Sequence, residues 1–84
     1  MMDLVDTVDL MMSEDYKDRF VAEYAQLAIR RERLAAMLHK YDHGALDFTP
    51  TCPIELLREQ LDAMEDYMSI LEKRAILEGI DLDI

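Results

Sequence analysis

One cysteine and two histidines are the side chains in this 84-residue chain best suited to nucleophilic or metal chemistry. Cys52 comes just before Pro53, at the expected start of a helix, where the helix dipole lowers a thiol pKa. His39 and His43 are one helical turn apart and precede the same loop, but no oxyanion-hole glycines accompany them. A Cys/His catalytic pair and a Cys/His metal site both stay open. We favour a plain helix start, with Pro53 at the first helical position and Glu55 completing a capping box, and expect no catalytic residue, metal or cofactor.

A second group of polar residues recurs at seven-residue steps within otherwise apolar helical patterns. Tyr24 and Arg31 form this group on the first expected helix, and Gln60, Tyr67 and Arg74 form it on the second. Polar groups at such positions cost stability unless they are paired, and helical assemblies use them to fix register and subunit number. The alternative is a ligand pocket between chains, in which arginine binds phosphate and tyrosine stacks on a base.

The first long helix that must position these residues is predicted over about 14–42, with Ser13 as its N-cap. Alternating steps of four and three keep its main residues on one face, which needs a partner helix. They are Phe20, Tyr24, Leu27, Arg31, Leu34, Leu38 and Tyr41. Gly44 is placed to close the helix, because glycine readily adopts the left-handed conformation.

The second long helix is predicted over about 53–78, ended by Gly79, and it carries two apolar strips. The first strip is Leu57, Leu61, Met64, Met68, Leu71 and Ala75. The second strip is Leu56, Gln60, Ala63, Tyr67, Ile70, Arg74 and Leu77. The strips are rotated by roughly 100° from each other, so one neighbouring helix cannot cover both. This geometry predicts that copies of the chain assemble.

The chain is therefore predicted to be all-α: an antiparallel two-helix hairpin with a short N-terminal segment, assembled into a homo-oligomeric helical bundle. The hairpin domain spans 13–79, with a loop over 43–51 that is short enough to make the helices antiparallel neighbours. Residues 1–12 are an extension, either a docked amphipathic helix or a loose tail. Residues 80–84 form either a strand-like strap or a frayed terminus.

The net charge of −10 restricts the partners of the protein. Nucleic acid phosphates and anionic lipid headgroups would repel it, so we expect neither direct nucleic acid binding nor membrane association. The apolar stretches fall short of a bilayer span, and the N-terminus has acidic residues where a signal peptide needs basic ones. These features predict a cytoplasmic protein. An acidic surface of this kind also suits a mimic of the phosphate backbone.

Three segments together resemble a family of small phage and prophage proteins: "EYAQLAIRRERLAAMLHKY", "CPIELLREQ" and "AMEDYMSILEKRAILEGIDL". The likeness covers roughly Ser13 to Leu82. Its most specific positions are Leu56, Leu57, Gln60, Met64, Tyr67, Ile70, Leu71 and Arg74. It implies a small protein of the bacterial host cytoplasm that counters host defence, and it carries over no site residues. We hypothesise that the protein sequesters a nucleotide immune signal, such as a cyclic nucleotide, or another phosphate-bearing signal between subunits. The alternative is an acidic protein-protein inhibitor, anti-CRISPR-like or DNA-mimicking, of a host nucleic-acid enzyme or other defence protein.

Overall fold

The computed structural model describes residues 2–82 and builds this part of the chain from helices, without strands. A 3-10 turn over Leu4–Thr7 continues into a short helix, α1, over Val8–Met11. Two long helices follow, α2 over Tyr16–Asp42 and α3 over Ile54–Glu78. The prediction of an all-α fold is confirmed for the described residues. None of their helices has the length and apolar character needed to cross a membrane.

Helix α2 begins at Tyr16, two residues after the start that an N-cap at Ser13 predicts. Asp15 is the N-cap, and its carboxylate accepts a hydrogen bond from the backbone N–H of Lys17 at 2.9 Å. The prediction that Ser13 caps the helix is wrong. Its hydroxyl instead accepts from the backbone N–H of Asp15 at 3.0 Å and donates to Asp18 at 2.8 Å. Ser13 therefore shapes the turn before the helix, because an aspartate further along is an equally good cap.

Helix α3 begins without a side-chain cap, so the predicted capping box at Glu55 is wrong. Pro53 is the N-cap residue and the first helical position is Ile54. The carbonyl oxygen of Pro53 accepts the first helical hydrogen bonds, from Leu56 at 3.1 Å and Leu57 at 3.3 Å. At the other end of α3, Gly79 has φ 69° and closes the helix in the left-handed conformation.

The contacts between α2 and α3 show that the two helices run in opposite directions. Tyr16, at the start of α2, bonds Glu78 at the end of α3, and Asp42, at the end of α2, bonds Arg58 near the start of α3. The buried core lies toward the Tyr16 end of this pair. Its residues are Phe20, Leu27, Leu71, Ala75 and Ile80.

The residues after α3 turn back onto this core. The N–H of Ile80 donates to the carbonyl of Ala75 at 2.9 Å, which folds the chain over at Gly79. Ile80 is buried and Leu82 packs partly against the core. Residues 80–82 thus dock without forming a strand. Asp83 and Ile84, the remainder of the predicted tail, lie outside the described residues.

The N-terminal segment docks on the opposite side of α2 from α3. Thr7 is fully buried, and its hydroxyl accepts a hydrogen bond from Gln26 Nε2 at 2.9 Å. At the beginning of the segment, Asp3 forms an ion pair with Arg33 at 2.7 Å. Of the two interpretations of residues 1–12, docking therefore holds for residues 2–12, whereas Met1 lies outside the described residues.

Candidate ligand-binding site

Tyr24 and Arg31 lie on one flank of the contact between α2 and α3, each beside a glutamate of α3. The hydroxyl of Tyr24 donates to Glu72 Oε2 at 2.7 Å, and Arg31 Nη1 lies 3.4 Å from Glu65 Oε1. Burial raises the pKa of Tyr24 to about 12, and the hydrogen bond to Glu72 acts in the same direction. Tyr24 is therefore a neutral donor throughout the physiological pH range.

The guanidinium of Arg31 has hydrogen-bonding capacity that its own chain does not use. Its Nε is buried and has no hydrogen-bond partner. Its contact with Glu65, at 3.4 Å, is longer than a normal charged hydrogen bond. About a third of the side chain is exposed, 35% by area. Because buried polar atoms normally have a partner, the unpaired Nε sets Arg31 apart from the other residues of this region.

Tyr67 and Arg74 lie on a different flank of α3 and are also held by their own chain. The hydroxyl of Tyr67 donates to Glu23 of α2. Arg74 binds Glu78 through Nε at 3.2 Å and the hydroxyl of Tyr16 through Nη2 at 2.8 Å. The bonds to Glu23 and Tyr16 cross from α3 to the first half of α2, whereas the bond to Glu78 stays within α3. They fix the direction of both side chains while leaving them exposed to solvent.

The cluster around Arg74 is reinforced by an aromatic contact and by matched charge states. The Arg74 guanidinium lies 5.0 Å from the ring centroid of Phe20, within cation–π range. The pKa of Glu78 is lowered, chiefly by the hydrogen bond that it accepts from Tyr16 and further by its bond with Arg74. The pKa of Tyr16 is raised, chiefly by the same Tyr16–Glu78 hydrogen bond. The carboxylate thus stays ionised and the phenol stays neutral, which keeps the cluster intact near neutral pH.

The five predicted residues do not form one pocket within a single chain. Tyr24 and Arg31 contact α3 at Glu72 and Glu65. Tyr67 and Arg74 each come two residues after one of these glutamates, so they point about 200° away from them around α3. Gln60 is exposed on the flank of Tyr67. The described chain has open surface cavities of about 470, 370, 260 and 190 Å³, and none of these four contains any of the five residues. A pocket made from them would need a second chain.

The cysteine and histidines are not brought into a shared site. Cys52 is a free, exposed thiol that lines a shallow crevice with Met37, Phe48 and Leu57. The rings of His39 and His43 lie 4.2 Å apart, and Nδ1 of His43 is 2.9 Å from the carbonyl oxygen of His39. Among residues 2–82, no three His, Cys, Asp or Glu side chains cluster in a way that would hold a metal ion.

Sequence reasoning missed the carboxylates that hold the candidate residues. Glu65 and Glu72 belong to the acidic residues spread along α3, and they bond Arg31 and Tyr24 of α2. A usable signal was present, because Glu65 and Glu72 share the seven-residue spacing of Tyr24 and Arg31. Matching the two rows across an antiparallel helix pair would have found them.

A comparison with known protein families finds one family model, described as Sequestin, that matches residues 14–77. The matched region is well over half of the chain and contains all five candidate residues. It leaves the docked N-terminal segment outside. No curated protein and no solved structure matches the chain.

Proposed function

This chain belongs to the Sequestin family, and we propose that it is a non-enzymatic phage or prophage protein that removes a nucleotide immune signal by binding it. The family name supports a sequestering role and a binding rather than a catalytic activity. In this proposal the protein acts in the cytoplasm of the bacterial host. It holds a cyclic nucleotide or a related phosphate-bearing signal intact and keeps it from the receptor of the host.

The observation that carries the proposal is the state of Arg31. A protein with a net charge of −10 has little reason to bind an anion unless a cation is kept available for it. Arg31 meets this requirement, because its side chain is partly exposed and its ion pair with Glu65 is long. A phosphate group could take two parallel hydrogen bonds from such a guanidinium. Tyr24, on the same helix face, adds an aromatic ring, while its hydroxyl already donates to Glu72.

The proposed ligand lies between copies of the hairpin. Tyr24 and Arg31 are separated from Gln60, Tyr67 and Arg74 by the body of the chain, and each row is open to solvent on its outer side. A second chain laid along either row would enclose it. Tyrosine rings would then stack on the bases and arginines would bind the phosphates, which is the division of labour common in nucleotide recognition.

Direct uptake of ligand tests the proposal. Purified protein is mixed with a panel of cyclic mono-, di- and trinucleotides, and the free ligand is measured after filtration. We expect at least one ligand to be depleted and then recovered chemically intact once the protein is denatured. Recovery of a hydrolysed product would refute the non-enzymatic assignment, and no depletion across the panel would refute sequestration.

A matched pair of variants identifies the arginine responsible. Arg31→Ala removes the guanidinium with the unpartnered Nε, whereas Arg30→Ala removes a neighbouring, exposed one. A hydrogen bond to a charged group contributes about 1.5–3 kcal/mol, so Arg31→Ala should weaken uptake by roughly 10- to 150-fold. Arg30→Ala should change it by less than about threefold. Equal losses in both variants would mean that Arg31 has no special role.

The exposed acidic face of α3 favours a second candidate function, inhibition of a host nucleic-acid enzyme. Glu59, Asp62 and Asp66 are all exposed along α3. Glu65 does not belong to this face, because it is paired with Arg31. Reversal of Glu59, Asp62 and Asp66 to lysine should abolish inhibition if this surface imitates a phosphate backbone. Unchanged inhibition by the triple variant would reject this candidate.

A further inference from the structure

The second strip of α3 is an exposed apolar surface along nearly the whole helix. Its large side chains are substantially solvent-exposed: 53% for Leu56, 42% for Tyr67, 54% for Ile70 and 85% for Leu77. The first strip, which packs on α2, is centred about 100° away around the helix. Helix α2 therefore reaches only one edge of the second strip, through the bonds it makes with Tyr67 and Arg74. An apolar surface of this length calls for a partner.

The order of residues in the second strip is close to a palindrome. Leu56 and Leu77 are centred on residue number 66.5, and so are Ala63 and Ile70. Gln60 and Arg74 are centred on residue 67, which is Tyr67 itself. The midpoint of Ile54–Glu78 is 66. Two α3 helices placed antiparallel about a two-fold axis near Tyr67 would therefore overlap over almost their full length, about 37 Å at 1.5 Å per residue.

Each pair that this arrangement creates is chemically compatible. Ala63 meets Ile70 of the partner subunit, a small residue against a large one, as interdigitating helix faces require. Leu56 meets the partner's Leu77, which covers the most exposed leucine of the strip. A parallel arrangement would instead set Ala63 against the partner's Ala63 and leave a gap there. The sequence is therefore complementary to itself in the antiparallel direction.

Electrostatics favour this surface over others for contact between two acidic chains. The second strip contains no acidic residue, whereas the chain as a whole carries a net charge of −10. Its single charged residue, Arg74, comes opposite the partner's Gln60 and near the partner's Glu59. Antiparallel helices also oppose their dipoles, which avoids placing like ends together. The second strip thus brings no acidic residue of its own into the contact, and the Glu23 and Glu78 carboxylates at its edge are already bonded to Tyr67 and Arg74.

We propose that a second copy of the chain packs antiparallel on the second strip, with the two-fold axis at Tyr67. This interface builds two equivalent ligand sites. That ligand-binding part rests on the proposed function, whereas the packing of the two chains does not. Each site combines Tyr67 and Arg74 of one chain with Gln60 of the partner subunit. The predicted residues Gln60, Tyr67 and Arg74 thus belong to one composite site that a single chain leaves incomplete.

Disulfide trapping tests the direction of the packing, in a Cys52→Ser background that removes the exposed native thiol. Antiparallel packing brings Ala63 of one chain close to Ile70 of the other, so a mixture of Ala63→Cys and Ile70→Cys chains should form the mixed disulfide dimer. Neither variant should crosslink efficiently with itself. Self-crosslinking of Ala63→Cys without the mixed product would show parallel packing and overturn the proposal. Asp62→Cys, exposed but off the strip, is the control and should stay uncrosslinked.

A second measurement needs no crosslink and uses two matched isoleucines. Ile70 is 54% exposed on the second strip, and Ile76 is 82% exposed on another side of α3. By light scattering the unmodified chain should have the mass of a dimer or a multiple of dimers. Ile70→Glu should halve the mass or reduce it further, while Ile76→Glu should leave it unchanged. A monomeric or trimeric native mass, or equal effects of both substitutions, would overturn the interface.

Failure of this interface can be told apart from failure of the proposed function. Loss of ligand uptake across the nucleotide panel, with the mixed disulfide and the mass change intact, would refute sequestration and leave the interface standing. Normal uptake by a protein that shows no mixed disulfide would refute the interface alone. Helical circular dichroism of Ile70→Glu at native strength would show that a change in mass comes from dissociation rather than unfolding.

Discussion

Substitution of Thr7 by valine should release the N-terminal segment from α2 while the rest of the fold stays in place. Thr7 is fully buried, and its hydroxyl donates to the carbonyl of Leu4 at 2.7 Å and accepts from Gln26 Nε2 at 2.9 Å. Valine keeps the shape and removes both bonds. Only the Gln26 bond joins the segment to α2, so at about 1 kcal/mol net for that bond the docked state should lose about 1 kcal/mol, or roughly fivefold in its docking equilibrium.

Amide hydrogen exchange followed by mass spectrometry measures this change directly. Peptides covering residues 4–12 should exchange roughly fivefold faster in Thr7→Val, while peptides from α3 keep their protection, because the segment opens as a local unit. Thr51→Val, at an exposed threonine, is the control and should change neither region. Wild-type protection in Thr7→Val would refute the hydrogen-bond argument. Equal loss in α3 would refute the claim that the segment opens separately.

Three further predictions concern the core, a titrating group and a helix end. Leu71→Ala, at a fully buried site, should cost about 2–5 kcal/mol of unfolding free energy in urea titrations, whereas Leu77→Ala, at an exposed site, should cost little in the isolated chain. Tyr24 ionises at about 12 in the folded protein and near 10.0 when unfolded, so its contribution to stability should be present below pH 10 and lost between pH 10 and 12. Ultraviolet titration of Tyr24→Phe should lack this late ionisation, and an unchanged titration would refute the assignment. Gly79→Ala forces alanine to φ 69° and should cost about 1 kcal/mol by thermal denaturation, while no loss would contradict the left-handed cap.

Helical periodicity in the sequence was sufficient to predict the all-α fold and the two strips of α3, because spacing alone decides which residues share a helix face. Leu71 and Ala75 are buried, as members of the first strip should be. Capping was harder to predict. Ser13 and Asp15 are both suitable caps, and the choice between them depends on how the chain enters α2, which local sequence does not specify.

The surroundings of the candidate residues could be predicted only in part. Tyr24 and Arg31 were placed correctly on the side of α2 near α3, but the sequence did not indicate that Glu72 and Glu65 would bond them. Pairings between helices depend on the offset of one helix along the other. That offset is fixed by packing around residues such as Phe20 and Leu71, which are distant in sequence. The docking of Thr7 on Gln26 depends on tertiary structure in the same way.

The carboxylates beside the candidate donors imply an unusual response of ligand binding to salt. A phosphate ligand must approach a chain with a net charge of −10 and compete with Glu65 for Arg31. The repulsion from distant acids acts over more than a Debye length, about 10 Å at 0.1 M, and is largely removed by salt, whereas a direct arginine–phosphate contact is screened much less. Moderate salt should therefore leave the affinity unchanged or raise it, in contrast to binding driven by a basic surface, which weakens as salt rises. Glu65→Gln should strengthen binding and reduce this rise. Equilibrium titrations of the ligand between about 0.02 and 0.2 M salt measure this effect. A steep fall in affinity over this range would show that a basic surface binds the anion, rather than a single arginine within an acidic protein.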